Sequence, residues 1–238
     1  MEDSITNEKE INLEPSRSDY VASAAKSALG MVPFAGSLLS EIAGSVIPNQ
    51  RIERIVKFAE SLQRKLEILE ESVIRSNLTN ENFTDLVEES LIQASKSLSD
   101  DRRDYISSLV VNSISSGDIE YFESKHLLRI LGEINDIEVI WLRAYLDPCY
   151  GRDDDFTKKH EHILEPIAAH MGSSQSEFDK STLQKSYKEH LTALGLLEKE
   201  YDMDTSSRGV KLKTKQFKIA PLGRLLLREL GFKSELLS

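Results

Sequence analysis

Between residues 50 and 75 apolar and charged positions alternate with a helical period. In "QRIERIVKFAESLQRKLEILEESVIR", apolar or small residues fall at Ile52, Ile55, Ala59, Leu62, Leu66, Leu69 and Val73, in steps of three and four. Charges occupy the other faces, so the spacing predicts one long amphipathic helix with a heptad seam. Such a seam can pack inside its own domain. It can also join two copies as a coiled coil through Ile52, Ile55, Leu62, Leu66 and Leu69.

The same period continues beyond it. "NLTNENFTDLVEESLIQASKSL" predicts a helix capped by Asn80 or Thr84, with Phe83, Leu86, Val87, Leu91 and Leu98 on its apolar face. "SDDRRDYISSLVVNSISS" opens on Ser99, Asp100 and Asp101, residues suited to a helix N-terminus. Its buried side should be Tyr105, Ile106, Leu109, Val110 and Ile114. "DIEYFESKHLLRILGEI" gives a helix ending near Gly132. "NDIEVIWLRAYLDP" gives one capped by Asn135 or Asp136 and stopped before Pro148. Consecutive helices with short connections make a bundle.

The pattern changes after "PCYGRDDD", an exposed loop at 148–155. A helix with Leu183, Tyr187, Leu191 and Leu194 on one face is followed by "LLEKEYDM", a "DTSSRG" turn and "VKLKTKQFKI", which read as a β-hairpin. "APLGRLLLREL" closes with a short helix. Helices near 136–146, 158–170 and 180–194, then a hairpin, follow the order of a winged helix-turn-helix. The fold expected is therefore mainly α: an N-terminal helical bundle over 19–134 and a C-terminal winged helix-turn-helix with a small β-hairpin wing over 135–238. Residues 1–18 are expected to form a disordered acidic tail.

Charge adds an asymmetry. The 238-residue chain carries a net charge of −10, which repels phosphate backbones and anionic lipid. Residues 181–238 nevertheless hold eleven basic and seven acidic residues, a local +4 against −14 for the rest. Lys185, Lys188, Arg208, Lys211, Lys213 and Lys215 are the candidate nucleic-acid or partner contacts, with Lys211, Lys213 and Lys215 expected on one strand face. The third helix has no arginine between 180 and 194, although arginine to guanine is the commonest base-specific contact. Phosphate contacts or a protein partner suit it better than sequence reading.

"SALGMVPFAGSLLS" at 27–40 carries no charge, and Gly36, Ser40 and Gly44 repeat a small residue at every fourth position. The uncharged run of 14 residues is shorter than the roughly 20 needed to span a bilayer, and Pro33 breaks it. It reads as two short helices meeting near Pro33 in a tightly packed core. Membrane perturbation by 27–47 is the alternative.

Candidate chemistry is sparse. His160 and His162 lie two apart, which does not place them on one helix face for a metal. Asp153, Asp154 and Asp155 lack the alternation of a calcium loop. Cys149 is the only cysteine, so no internal disulfide forms, and neither a phosphate-binding loop nor a nucleophile elbow is present. No cofactor, metal or enzymatic activity is expected. The polar start "MEDSITNEKE" lacks the basic–apolar pattern of a secretory signal, so a cytoplasmic location is expected.

"SDDRRDYISSLVVNSIS", "HLLRILGEINDIEVIWLRAYL" and "KIAPLGRLLLREL" together resemble, over roughly residues 85–232, the bacterial abortive-infection alpha family and its uncharacterised relatives. The "APLG" of 220–223 is similar to a turn of the "TPLG" type in that family. The resemblance implies a role in phage defence and carries no active-site residue. The chain is accordingly expected to be a non-enzymatic regulatory or interaction protein with a protein partner or a second copy. A DNA-binding regulator and a membrane-perturbing effector are the alternatives.

Overall fold

A computed structural model describes residues 51–115, 120–146, 155–206 and 209–232, with Ser27, Gly30, Gly36 and Ser40 as separate helical positions; for Ile52 and 203–213 it describes the backbone only. Ten helices and two strands follow in order: α1 Ile52–Leu66, α2 Glu71–Asn77, α3 Glu81–Lys96, α4 Asp100–Ser115, α5 Tyr121–Glu133, α6 Asp136–Ala144, α7 Asp155–Lys159, α8 Glu161–Leu164, α9 Gln175–Ala193, β1 Leu197–Ser206, β2 Gly209–Ile219 and α10 Pro221–Glu229. The described chain is mainly helical, with a small antiparallel hairpin near the C-terminus.

Local signals explain most of the helix starts. Asn80 caps α3 by accepting from Asn82 N at 2.9 Å, and Ser99 Oγ accepts from Arg102 N at 3.2 Å at the start of α4. Reciprocal boxes open α6 (Asn135 with Glu138) and α9 (Ser174 with Glu177). Gly195, at φ +73°, ends the α9 segment in the left-handed conformation, and Leu196 N then donates to Leu191 O.

The long helix expected over 50–75 is two. It stops at Leu66, passes through 67–70 and restarts as α2. No glycine or proline causes the break. It moves the buried position from Val73, where the heptad places it, to Ile74, which is 2% exposed. Packing has overridden a strong local preference. Leu98 is another departure: α3 ends at Lys96, and Leu98 lies 83% exposed in the link to α4.

Helix α4 is the centre of the bundle. Helices α1, α2, α3, α5 and α10 all pack against it. Nine of its residues are buried, including Ile106, Leu109, Val110 and Ile114, together with Ser107, Ser108 and Ser113. A helix surrounded on all sides must be apolar or small all round, and its serines let α1 and α10 approach closely. Ser61 of α1 shares a buried contact with Ser107 at 2.7 Å. Tyr105 stacks obliquely on Phe232 at 5.1 Å, and Asn112 donates to Glu229 O at 3.0 Å, tying α10 to α4.

One hydrophobic cluster runs through all of this. It joins Ile55, Phe58 and Leu62 of α1 to Leu142 of α6, Leu191 of α9, Leu197 and Ile219 of the hairpin and Leu226 of α10. The core is thus continuous across residues 134 and 135. Helix α6 lies between the bundle and the C-terminal elements, with α8 and α9 packed on it.

The "APLG" turn has a steric basis. Pro221 occupies the first turn of α10, where its missing N–H costs nothing. A Cβ on the buried Gly223 would lie 2.3 Å from Leu196 O, so only glycine lets α10 close against the α9–β1 turn. In the N-terminal stretch, Gly36 is buried and a Cβ there would lie 2.4 Å from Gly30 O, with Ser40 Oγ donating to Gly36 O at 2.7 Å. The rest of 27–47, including Pro33 and Gly44, lies outside the described residues, as does the 1–18 tail. Among the described residues no helix is long and apolar enough to cross a membrane.

Candidate interaction surface

Arg102 of α4 anchors α6. Its Nη1 and Nη2 donate to Leu131 O (2.6 Å) and Ile134 O (2.7 Å), the free carbonyls at the end of α5, and its Nε donates to Asp136 Oδ1 at 2.6 Å. A planar guanidinium suits this three-way job, because its donors leave in fixed directions. Glu138, buried in the first turn of α6, uses one oxygen to accept Asn135 N at 2.8 Å and the other to meet His190 Nδ1 of α9 at 2.7 Å. A short polar chain therefore runs from the bundle through α6 to α9.

A second contact between α6 and α9 lies one turn along. Lys188 Nζ sits 4.2 Å from the centroid of the Trp141 ring, a cation–π geometry. Burial pushes the Lys188 ammonium below its ordinary pKa. Trp141 is followed by Tyr145 and Phe217, each at a ring separation of 6.4 Å, so an aromatic row joins α6 to the foot of the hairpin. Burial raises the Tyr145 phenol to about 12, so it stays neutral.

Helix α9 projects past this seat. It has 19 residues against nine in α6, or roughly 28 Å against 13 Å at 1.5 Å per residue. Leu191 is its one fully buried residue. Leu183, expected on the buried face with Tyr187 and Leu194, is 52% exposed because α6 does not reach that far. Phe178 is 40% exposed. Gln184 holds the segment before α9 in place: its Nε2 donates to Ile163 O (3.3 Å) and Glu165 O (2.8 Å), and its Oε1 accepts Ile167 N at 3.2 Å. That segment is α7, α8 and an irregular run rather than one helix over 158–170; it breaks at His160, and Pro166, two residues past the end of α8, stops it from continuing.

The hairpin sets several acids opposite bases. Its register sets Glu198 opposite Lys218, Glu200 opposite Gln216, Asp202 opposite Lys213 and Asp204 opposite Lys211. The register shifts between Glu200 and Tyr201, which leaves Lys215 as an extra, bulged residue. Lys215 is thereby left without a partner in the ladder, and its Nζ reaches Asp202, the residue opposite Lys213. Lys218 Nζ lies 2.8 Å from Glu200 Oε1. The Lys218 and Gln216 hydrogen bonds hold the Glu200 carboxyl below its usual range. Lys215 lies 3.9 Å from Asp202, and Lys199 pairs with Glu189 of α9. Tyr201 stands 51% exposed.

The candidate contacts lie on α9 and the hairpin. Lys185 is exposed on α9, Lys188 lies on Trp141, Lys215 occupies the bulge, and Lys211 and Lys213 stand opposite acids. Arg208 lies outside the described residues. In the seam, Ile55, Leu62 and Leu66 are 1%, 2% and 3% exposed, and Leu69 packs partly against the same core. These side chains pack in the chain's own bundle; Ile52 is described in backbone only. Cys149, Asp153 and Asp154 also lie outside the described residues. Among the described residues no group of three His, Cys, Asp or Glu is arranged to hold a metal.

Sequence reasoning passed over Arg102, Glu138 and His190. The N-x-x-E pattern of 135–138 signals the capping box, but no local signal predicts that Arg102 or His190 would reach it. Comparison of the chain with protein-family models, with curated proteins and with solved structures returned no match.

Proposed function

We propose that the chain is a non-enzymatic interaction protein that engages a protein partner through the projecting half of α9 and the adjoining hairpin. The observation that carries this reading is the exposure of α9. A helix seated over its last third and left open at Phe178, Thr182, Leu183 and Lys185 presents a surface that stays exposed among the described residues. The order α6, α7–α8, α9, hairpin is that of a winged helix-turn-helix, with α9 as third helix and β1–β2 as wing. Winged helices serve protein partners as well as DNA.

The charge layout favours protein over nucleic acid. Phosphate binding needs unspent cations, and here Lys199, Lys215 and Lys218 lie against carboxylates while Lys188 is engaged on a ring. A setting in bacterial phage defence is supported by the resemblance of the 99–115, 126–146 and 218–230 motifs to abortive-infection alpha chains.

Site-specific photocrosslinking in the native cell tests the reading. A photoreactive residue replacing Thr182 or Tyr201 should give a discrete protein adduct, and one replacing Glu88 on α3 should not. Adducts from Glu88 alone, or salt-sensitive binding to a random DNA duplex that Lys185→Glu abolishes, would contradict it.

A further inference from the structure

The two strands of the hairpin divide its charges. β1 carries Glu198, Glu200, Asp202 and Asp204 with a single base, Lys199, whereas β2 carries Lys211, Lys213, Lys215 and Lys218 and no acid. The strands also differ in what lies beside them. Helix α9 packs against β1, and Lys199 of that strand pairs with Glu189 of the helix. β2 pairs with β1 alone among the described residues. Its foot is seated by Phe217 against Tyr145 and by the buried Ile219. Above the foot, Thr214, Lys215 and Gln216 are exposed. An outer strand leaves a row of N–H and C=O groups without ladder partners.

We propose that the outer edge of β2 accepts an extended acidic segment of the protein partner as a third, β-paired strand, a proposal that rests on the hairpin's belonging to the interaction surface. Main-chain hydrogen bonds along the edge supply the affinity, and alternate side chains supply the selection. A residue of an inner strand has a cross-strand neighbour on each side. Lys211 and Lys213 have Asp204 and Asp202 on the β1 side; the other side is open among the described residues. The pairs of Lys215 with Asp202 and of Lys218 with Glu200 lie at the surface, with the lysine side chains 52% and 56% exposed. These ammonium groups therefore stay within reach of a further carboxylate. A second copy of the chain does not suit the edge. β2 beside β2 sets lysines against lysines, and β1 beside β1 sets acids against acids, so a symmetric pair of hairpins brings like charges together on either edge. Lysines and a bulge guard an outer strand against its own kind. Here they leave it open to a strand of opposite charge.

The full chain is mixed with a short synthetic peptide that alternates glutamate with valine and threonine. Binding is followed by fluorescence anisotropy of the labelled peptide and by hydrogen exchange of the protein. Exchange should slow across 210–218 of β2 and stay unchanged across 81–96 of α3. The same peptide N-methylated throughout keeps its carboxylates and has no N–H to donate. It should bind at least about tenfold more weakly. Lys211→Glu combined with Lys213→Glu should weaken the acidic peptide about tenfold and accept instead a peptide carrying lysine in place of glutamate, which also shows that the altered hairpin is intact. A methylated peptide that binds as well as its parent, slowed exchange confined to other segments, or no binding of the acidic peptide overturns the proposal. Adducts formed in the cell from Thr182 or Tyr201 do not depend on this result, so loss of the strand and loss of the surface are told apart.

Discussion

Arg102 does at the residue scale what no helix propensity could. It satisfies two carbonyls at the end of α5 and orients Asp136 at the start of α6, so one side chain fixes the angle between two helices. Its side chain is 13% exposed, and Arg102→Ala would leave those carbonyls and Asp136 without their donor. The expected loss is about 2–4 kcal/mol in chemical denaturation, and Arg102→Lys should recover only part of it, because an ammonium cannot reach three acceptors in fixed directions. The neighbouring Arg103 is buried and serves a different end of the chain, donating to Ser97 O at 2.6 Å and pairing with Asp100. The "DDRRDY" stretch is therefore a structural clamp, tied through Arg102 to Leu131, Ile134 and Asp136 of "ILGEINDIE". The acids at 100 and 101 were legible as helix-start residues. The reach of Arg102 across some thirty positions was not, since nothing local encodes it.

At the element scale, periodicity foretold Phe83, Leu86, Val87 and Leu91 of α3 and Ile106, Leu109, Val110 and Ile114 of α4 as buried, but missed the small and polar residues that α4 buries because it is surrounded. It failed where packing outvotes pattern. The heptad through Leu69 and Val73 continues unbroken in sequence, yet the chain turns at 67–70 so that Ile74 reaches the core. The hairpin shows the same limit. Strand alternation is visible, but the bulge that leaves Lys215 without a ladder partner is not. Helix α10 depends on a contact of a third kind. Gly223→Ala places a methyl group 2.3 Å from Leu196 O, and both flanking groups are backbone or core. Overpacking against a rigid carbonyl should cost about 3 kcal/mol or more and undock α10 from α4, seen as a lowered urea midpoint and loss of protection across 221–232. Gly172→Ala is the matched control, since nothing lies within 4 Å of a Cβ there.

The molecule as a whole is a bundle with one core and one overhang. The acidic total and the basic tail suggested two opposed electrostatic halves. Lys199, Lys215 and Lys218 instead lie against the chain's own Glu189, Asp202 and Glu200. What remains for function is geometric: about half of α9 stands clear of α6, bordered by the hairpin. Hydrogen exchange measured on the chain alone and on the chain recovered with its cellular partner tests this most directly. The account predicts that protection rises across 175–186 and 199–216 in the complex while the α3 amides of 81–96 are unchanged. Protection gained over 81–96, with α9 and the hairpin exchanging as they do in the free chain, would contradict it.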